Sequence, residues 1–309
     1  MNSDSLRTLP PPRKKDWPLT EYTPESLNSN RKYPKISIVT PSFNQGNYIE
    51  ETIRSVILQD YPNLEYIIID GGSTDQTLEI IKKYEPWLAY WVSEPDSGQS
   101  NAINKGFARC SGDIVTWLGS DDYLEKDALF KVAEHYNDAN WAVLLGTCIM
   151  FYEGTTETLL LDSGQVTFNS LLKTWKMHFC PPQPAMYIRK KVLDELGFLN
   201  EDLKYAMDYE LWLRISKRHK FKFINQNLAY YRVHKASKTG AEGGMKKFYF
   251  EWYKVRDAYV SDAKLIQRIR YYTDLYSHLF SWRTIQFIRK KQRGIKVRLR
   301  KVINYVSTF

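Results

Sequence analysis

Two adjacent carboxylates, Asp121 and Asp122, follow directly on the apolar run DIVTWL and the pair Gly119-Ser120. Side by side at a strand end they repel one another, so they call for a cation or for hydrogen-bond donors. A hard divalent ion meets that need, because Mg²⁺ or Mn²⁺ is held by one or two carboxylates together with phosphate oxygens. A solvated turn or a helix cap tolerates the same pair. A second polar group closes another apolar run in IIIDGGSTDQT, where Asp70 precedes Gly71, Gly72, Ser73 and Thr74. The glycines permit tight backbone, the hydroxyls cap a helix, and the amides freed there suit a nucleotide as well as an ordinary strand-to-helix turn. A third, SEPDSGQSNAINKGF, gathers Ser97, Gln99, Asn101, Asn104 and Lys105 at a helix start. Such side chains hold diphosphate or sugar hydroxyls, or simply cap the helix.

The elements that must position these groups follow from hydrophobic spacing. ISIVT after Lys35 has the β-branched character of a buried strand, and Ile49, Ile53, Val56 and Ile57 then form the stripe of a helix lying on a sheet. The alternation continues with strand 65–70, helix 74–84, strand 88–93, helix 97–109, strand 113–118, helix 127–137 and the apolar run WAVLLGTCIMFY. Strands alternating with helices of this length predict an α/β fold with a mostly parallel, doubly wound sheet flanked by helices. Ligands of such sheets sit beyond the carboxyl ends of the strands, where all three polar groups fall.

The chain of 309 residues carries a net charge of +9, with 43% hydrophobic and 26% charged residues, a globular composition. Residues 281–309 hold nine basic side chains and no acidic one, so the whole excess lies in that tail. There Ile285, Ile288, Ile295, Leu299, Val302, Ile303 and Val306 recur at helical spacing between basic residues. This basic amphipathic pattern suits an anionic membrane surface or a docked C-terminal helix. No nucleic-acid motif accompanies the charge, so no nucleic-acid partner is expected, and the lack of GxGxxG after the first strand disfavours a dinucleotide dehydrogenase. Cys110, Cys148 and Cys180 match neither a zinc ribbon nor a redox pair, which points to a reduced, cytoplasmic compartment. With no apolar leader and no run of ~18 apolar residues, the protein is expected in the cytoplasm or peripherally at the inner membrane face. Residues 1–34 form a Pro-rich, basic, flexible or surface-wrapping arm, 35–240 the main α/β domain with halves 35–125 and 126–240, and 241–309 a helical extension ending in the basic tail.

Taken in order, PKISIVTPSFNQGNYIEETIRSVILQD, EYIIIDGGSTDQT, SEPDSGQSNAINKGF and GDIVTWLGSDDYL resemble the family 2 glycosyltransferases, over residues 35 to about 235. The resemblance implies a GT-A fold, a nucleotide-diphosphate-sugar donor (a UDP-sugar), a divalent metal (Mn²⁺ or Mg²⁺) and inverting transfer to a hydroxyl of a glycan or lipid-linked acceptor. A binding module of the same fold that has lost catalysis is the alternative. The resemblance also implies that Pro41, Ser42 and Phe43 pack on the nucleotide base. Asp70 would bind base or ribose, with Gly71 where a second Asp is commoner, while Ser97, Gln99 and Asn104 line the donor. Asp122 would ligate the metal, and Asp121 the ribose or the metal. LKYAMDYELWLRI resembles the segment that supplies the catalytic base, with Met207 where Glu is usual and Asp208 retained. A carboxylate there accepts the acceptor hydroxyl's proton, although Asp208 would also suit a helix cap. Gln183 is implied in the acceptor or sugar pocket, Arg232 at phosphate, and His234 at metal or phosphate unless it is structural.

Overall fold

The computed structural model describes residues 33–162, 166–173, 181–238, 240–241 and 244–261, together with Leu9, Leu265, Arg268, Ile269 and 271–273. The basic tail 281–309 with its membrane expectation, most of the arm 1–34, and Cys180 lie outside the described residues.

Four strands make the first half: β1 (Ile36–Ser42), β2 (Leu64–Asp70), β3 (Tyr90–Ser93) and β4 (Ile114–Trp117). They pair in parallel in the order β3-β2-β1-β4. Their apolar runs are unbroken because helices cover both faces of the sheet. Ile36, Ile38 and Ile68 enter one core, while Val39, Ile67 and Ile69 enter the other. The stripe Ile49, Ile53, Val56 and Ile57 of α1 (Ile49–Ile57) is fully buried in the first core. It is joined there by Ile80 and Ile81 of α2 (Thr77–Lys83) and by Leu129 and Val132 of α4 (Ala128–Glu134). Each such side chain, fully buried, is worth about 1.5–3 kcal/mol. On the other face lies α3 (Gln99–Phe107), which buries Ala102, Ile103 and Phe107. It sits so close to β1 that a Cβ on Gly106 would stand 2.3 Å from the Val39 side chain.

The second half is built differently. β8 (Met186–Arg189) is antiparallel to β4, and β6 (Val143–Tyr152) is antiparallel to β8. β9 (Phe221–Val233) runs parallel to β6 for most of its length, and β5 (Tyr123–Leu124) and β7 (Thr158–Leu161) add to β9 and β6 respectively. The nine strands thus form one sheet, β3-β2-β1-β4-β8-β6-β9-β5, with β7 beside β6. β9 escapes prediction because register shifts against β6 break its alternation of buried and exposed positions. Four helices complete the fold: α5 (Phe168–Leu172), α6 (Lys190–Leu196), α7 (Met207–Ser216) and α8 (Gly244–Ser261). Among the described residues no helix is long and apolar enough to cross a membrane.

From β1 the chain turns to β2 on one side, while β4 lies on the other. The strand order reverses there, and the crevice beyond the ends of β1 and β4 is the place for a ligand.

Candidate active site

The acidic pair occupies that crevice. Asp122 is 4% exposed. Its Oδ1 accepts the backbone N–H of Arg232 at 2.9 Å, and its carbonyl accepts the Thr52 hydroxyl of α1 at 2.6 Å. Burial, together with the neighbouring Asp121, pushes its carboxyl well above the usual range against the pull of Arg232. Asp121 turns Oδ2 to His234 Nε2 at 3.1 Å. The other oxygens, Asp121 Oδ1 and Asp122 Oδ2, converge on Gly119, where a Cβ would stand 2.9 and 3.0 Å from them. Any side chain at position 119 would fill the space the two carboxylates share. That donor set fits a hard divalent ion. Among the described residues no three His, Cys, Asp or Glu side chains gather to hold a metal alone, so an ion held here would need the rest of its shell from a ligand or water.

His234 is buried against the Tyr48 ring, 4.3 Å between centroids, and its Nδ1 has no hydrogen-bond partner among the described residues. Arg232 departs from the expected phosphate clamp. It is 7% exposed, pairs with Glu51 of α1, gives its Nε–H to the Asp121 carbonyl at 2.9 Å, and packs among Tyr48, Tyr123 and Phe151. Its charge is already partnered, so it braces the acidic loop instead of reaching a ligand.

Three loops beyond β1, β2 and β3 are tied into one rim. The N–H groups of Asn44, Gln45 and Gly46 donate to Ser73 Oγ at 2.7 Å, Thr77 Oγ1 at 2.9 Å and Asp75 Oδ2 at 2.9 Å. Asn44 takes the left-handed region at φ +52°, which Asn tolerates better than most residues, and its Oδ1 accepts the Thr74 N–H. The Gly71 N–H reaches the Ser42 carbonyl at 2.8 Å. Asp70 has no exposed surface. Its carboxylate accepts Ser73 Oγ at 2.6 Å, Ser73 N–H at 2.8 Å, Gly72 N–H at 3.1 Å and Ser93 Oγ at 2.7 Å. Three of these bonds fall on Oδ2 and one on Oδ1, and with no exposed surface Asp70 shapes the rim from beneath. Pro41 and Ser42 are buried, and the Ser42 hydroxyl has no partner among the described residues. Phe43, by contrast, is 59% exposed, an aromatic ring open to stacking. Ser97 is exposed at the rim.

The third acid of the sequence motifs stands on a helix of the second half. Asp208 stands in the first turn of α7, its Oδ1 accepting the Tyr209 N–H at 2.7 Å. Burial pushes its pKa up to about 6, with that N–H and the charge of Lys238 opposing the shift. Glu251 of α8 accepts the N–H groups of Lys204, Tyr205 and Ala206 at 3.1, 2.5 and 2.6 Å, and so fixes the entry to α7. Lys238 donates to Gln99 Oε1 and to the Lys204 carbonyl, both at 2.7 Å. Burial lowers its pKa against the pull of Asp208, Glu251 and Asp121, so the third acid and one member of the acidic pair both act on this cation. Lys238 and His234 share a tight turn in which the His234 carbonyl accepts the Ser237 hydroxyl at 2.8 Å. Gly240 closes that turn, and a Cβ on it would stand 2.1 Å from the same carbonyl.

Asn104 is committed elsewhere. Its amide donates to the Leu199 carbonyl at 2.9 Å and Glu201 Oε1 at 2.8 Å, while its oxygen accepts the Leu199 N–H at 3.0 Å. It pins the segment leading to Asp208 and is not turned toward a donor. Gln183 gives its amide to the Trp117 carbonyl at 2.5 Å, beside the acidic loop. Thr52, Glu51, Tyr48, Lys238 and Glu251 thus join a site whose sequence motifs did not single them out. A shallow cleft lined by Trp141, Lys191, Glu195, Arg218 and His219 opens where β6 and β9 begin, at the opposite end of those strands, and holds none of the site residues.

A doubly wound sheet with paired acids at its switch point and an antiparallel second half has the architecture of the GT-A class of nucleotide-sugar-handling folds. Residues 37–197 match the family described as Glycosyl transferase family 2, and the chain belongs to it. TuaG of Bacillus subtilis, named a putative teichuronic acid biosynthesis glycosyltransferase, is 30% identical over 206 residues, 65% of this chain and 79% of that protein. The GalNAc(5)-diNAcBac-PP-undecaprenol beta-1,3-glucosyltransferase of Campylobacter jejuni is 26% identical over 238 residues, 76% of this chain and 74% of that one. The structure of S. aureus TarS 1–349 in complex with UDP-GlcNAc aligns with a TM-score of 0.62 at 21% identity, over 80% of this chain and 73% of that chain. The chain spans 40% of a longer TarS structure.

Proposed function

We propose that this protein transfers a sugar from a nucleotide diphosphate, a UDP-sugar, to a hydroxyl of a glycan or lipid-linked acceptor, with inversion at the anomeric carbon. The observation that supports this is the acidic pair at the sheet's switch point together with Asp208, a carboxyl held near pKa 6, with Asp121 and Asp208 both acting on the Lys238 ammonium. A carboxylate of that pKa is ionised at neutral pH and more basic than an ordinary Asp, as a general base should be. The acceptor oxygen attacks the anomeric carbon from the face opposite the diphosphate and gives its proton to Asp208. As the new C–O bond forms, the bond to the diphosphate oxygen breaks and its electron pair leaves with the nucleotide.

Asp121 and Asp122 would hold the divalent cation, Mn²⁺ or Mg²⁺, which when bound neutralises charge on the departing diphosphate. His234 orients Asp121 from behind, or joins the ligand set through a turn of the imidazole. Phe43 stacks on the base, Ser97 and Gln99 border the sugar and diphosphate, and Gln183 lines the acceptor side. The printed names of the relatives support a place in cell-surface polysaccharide or glycolipid biosynthesis, and the UDP-GlcNAc complex of the structural neighbour supports a uridine donor. The basic tail would bring the enzyme to the anionic inner face of the membrane, which liposome flotation of the full chain against one ending at Trp282 would test.

The deciding experiment is incubation with a panel of nucleotide sugars, with and without Mn²⁺, followed by release of nucleoside diphosphate. Metal-dependent release from one donor class is expected. Donor binding with no turnover on any acceptor tried would leave a binding module instead.

A further inference from the structure

The cleft where β6 and β9 begin has no part in the proposed reaction, and its volume of about 480 Å³ is room for a small organic molecule. Its floor is apolar, with Trp141 and Val192 buried there. Arg189 fixes that floor, lying over the Trp141 ring at 4.2 Å and donating to the carbonyls of Tyr136, Asp138 and Trp141. The rim is charged. Lys191 on α6 and Arg218 and Lys220 on the turn from α7 to β9 line it, against a single acid, Glu195. That acid cannot serve them all. It stands 3.6 Å from the Arg218 guanidinium and 3.0 Å from His219 Nε2, a buried ring nitrogen that lacks hydrogen-bond geometry to any described residue. Lys190 and Lys222 at the border are taken by Asp194 and Asp138, each at 2.7 Å. Lys191 and Lys220 are exposed, and neither ammonium has a partner among the described residues. Arg218 and Lys220 follow the C-terminus of α7, where the amide dipoles favour positive charge. Lys191 has no such reason to be there. It is the second residue of α6, whose first turn holds no acid, so the same dipoles repel it. An anion in the cleft would remove that cost.

We propose that this cleft is a second binding site, for a small molecule carrying a phosphate group, with the phosphate held by Lys191, Arg218 and Lys220 and the remainder lying on the floor of Trp141 and Val192. A phosphate at neutral pH carries more than one charge and three acceptor oxygens, so it answers cations on two elements at once, which a single carboxylate does less well. A reacting donor cannot be that molecule. The 13 residues of β9 separate this cleft from Arg232 and His234, up to roughly 40 Å at about 3.3 Å per residue. The inference therefore stands apart from the donor reading.

Broadening of the phosphorus NMR line of glucose 1-phosphate by the full chain tests this, with EDTA present so that no cation draws phosphate to Asp121 and Asp122. A dissociation constant of about 0.1–1 mM is expected, as for a weak, partly open site. Lys191→Ala and Lys220→Ala should each weaken binding roughly three- to fivefold, the upper range for an exposed ion pair. Lys191→Glu combined with Lys220→Glu should abolish it at an unchanged melting temperature. Glu195→Gln, which removes the competing acid, should tighten it by a similar factor to the one each lysine loses. Glucuronate, with a carboxylate in place of the phosphate, should displace the probe far less readily than inorganic phosphate does, and Asp122→Ala should leave the titration as it is. No broadening, wild-type affinity in both single lysine variants, displacement by glucuronate equal to that by phosphate, or loss of binding in Asp122→Ala overturns the assignment. None of these outcomes touches the donor reading, which metal-dependent release of nucleoside diphosphate decides.

Discussion

The two sides of the proposed site, the donor wall and the acceptor wall, are held by different means. On the donor side, loops following adjacent parallel strands are laced to one another: Asn44 to Ser73, Gln45 to Thr77 and Gly46 to Asp75 span about thirty residues each. On the acceptor side, Asp208 depends on partners gathered from the whole chain. Glu251 fixes the entry to its helix from 45 residues away, Asn104 pins the preceding segment from 95, and Lys238 reaches Gln99 across 139. The first wall is a local product of βα units, and the second exists only when the last strand and α8 have docked. Damage to the two walls should therefore read out differently, the first in donor affinity and the second in turnover.

The largest effects test whether both walls serve one reaction. Asp122→Ala removes one of the two oxygens that converge on Gly119, and roughly a 10³-fold or greater loss of metal-dependent transfer is expected. Asp208→Asn should cost about 10²–10⁴-fold in kcat, the range for a general base, with donor affinity by calorimetry unchanged. If Asp208→Asn turned over normally, the division of labour between the walls would be wrong.

Gly240→Ala sharpens the comparison, since it touches no ligand in either reading. The added methyl would lie 2.1 Å from the His234 carbonyl, so the turn holding His234 and Lys238 must move. A displacement near 1 Å at the reacting groups costs about 10²-fold, so a fall of 10- to 100-fold in kcat is expected while nucleoside diphosphate still binds. A pure loss of donor affinity would place the turn on the donor side instead.

The same contrast governs what the sequence discloses. The parallel half is legible because its signals are local: the runs ending in Ser42, Asp70 and Trp117 mark strand ends, and the stripe Ile49, Ile53, Val56, Ile57 marks the helix between two of them. Asp121 and Asp122 stand out because adjacent acids after an apolar strand are costly without a partner. Roles that depend on distant partners do not show. Asp70 and Asn104 sit in the expected motifs, yet one is buried and bound by Ser73 and Ser93 and the other is bound by Leu199 and Glu201, which no spacing reveals. Glu251 lies in an aromatic helix without a motif, and its value appears only when three N–H groups from 204–206 are found on it.

A smaller effect concerns stability and separates Asp208 from an ordinary cap. Its folded pKa, about 6, lies above the usual Asp value of 3.8, so the folded state binds the proton more tightly than the unfolded chain does. Stability should then fall as pH rises from about 4 to about 6, where the unfolded state has already lost its proton. Asp208→Asn has no such cost. Urea unfolding should find it more stable than wild type by on the order of 1–2 kcal/mol at pH 8, after allowing for water that still reaches the group, and equal below about pH 4. The wild-type rate should drop tenfold per pH unit below about 6. A variant less stable at pH 8 would show that Asp208 is retained as a cap, and the acceptor wall would lose its base.

The smallest effect belongs to the donor wall. Phe43 is exposed where the rest of its loop is fixed, so Phe43→Ala should disturb no packing and leave the melting temperature within about a degree. Stacking on a base is worth about 1–3 kcal/mol, and at an open rim the lower end applies, so a five- to tenfold rise in the donor KM with kcat unchanged is expected. That pattern is what a binding contact equal in ground and transition states produces, in contrast to Asp208 and Gly240. A drop in kcat at unchanged KM would mean that the Phe43 ring tightens on the donor only as the bond breaks, and the clean assignment of affinity to one wall and turnover to the other would fail.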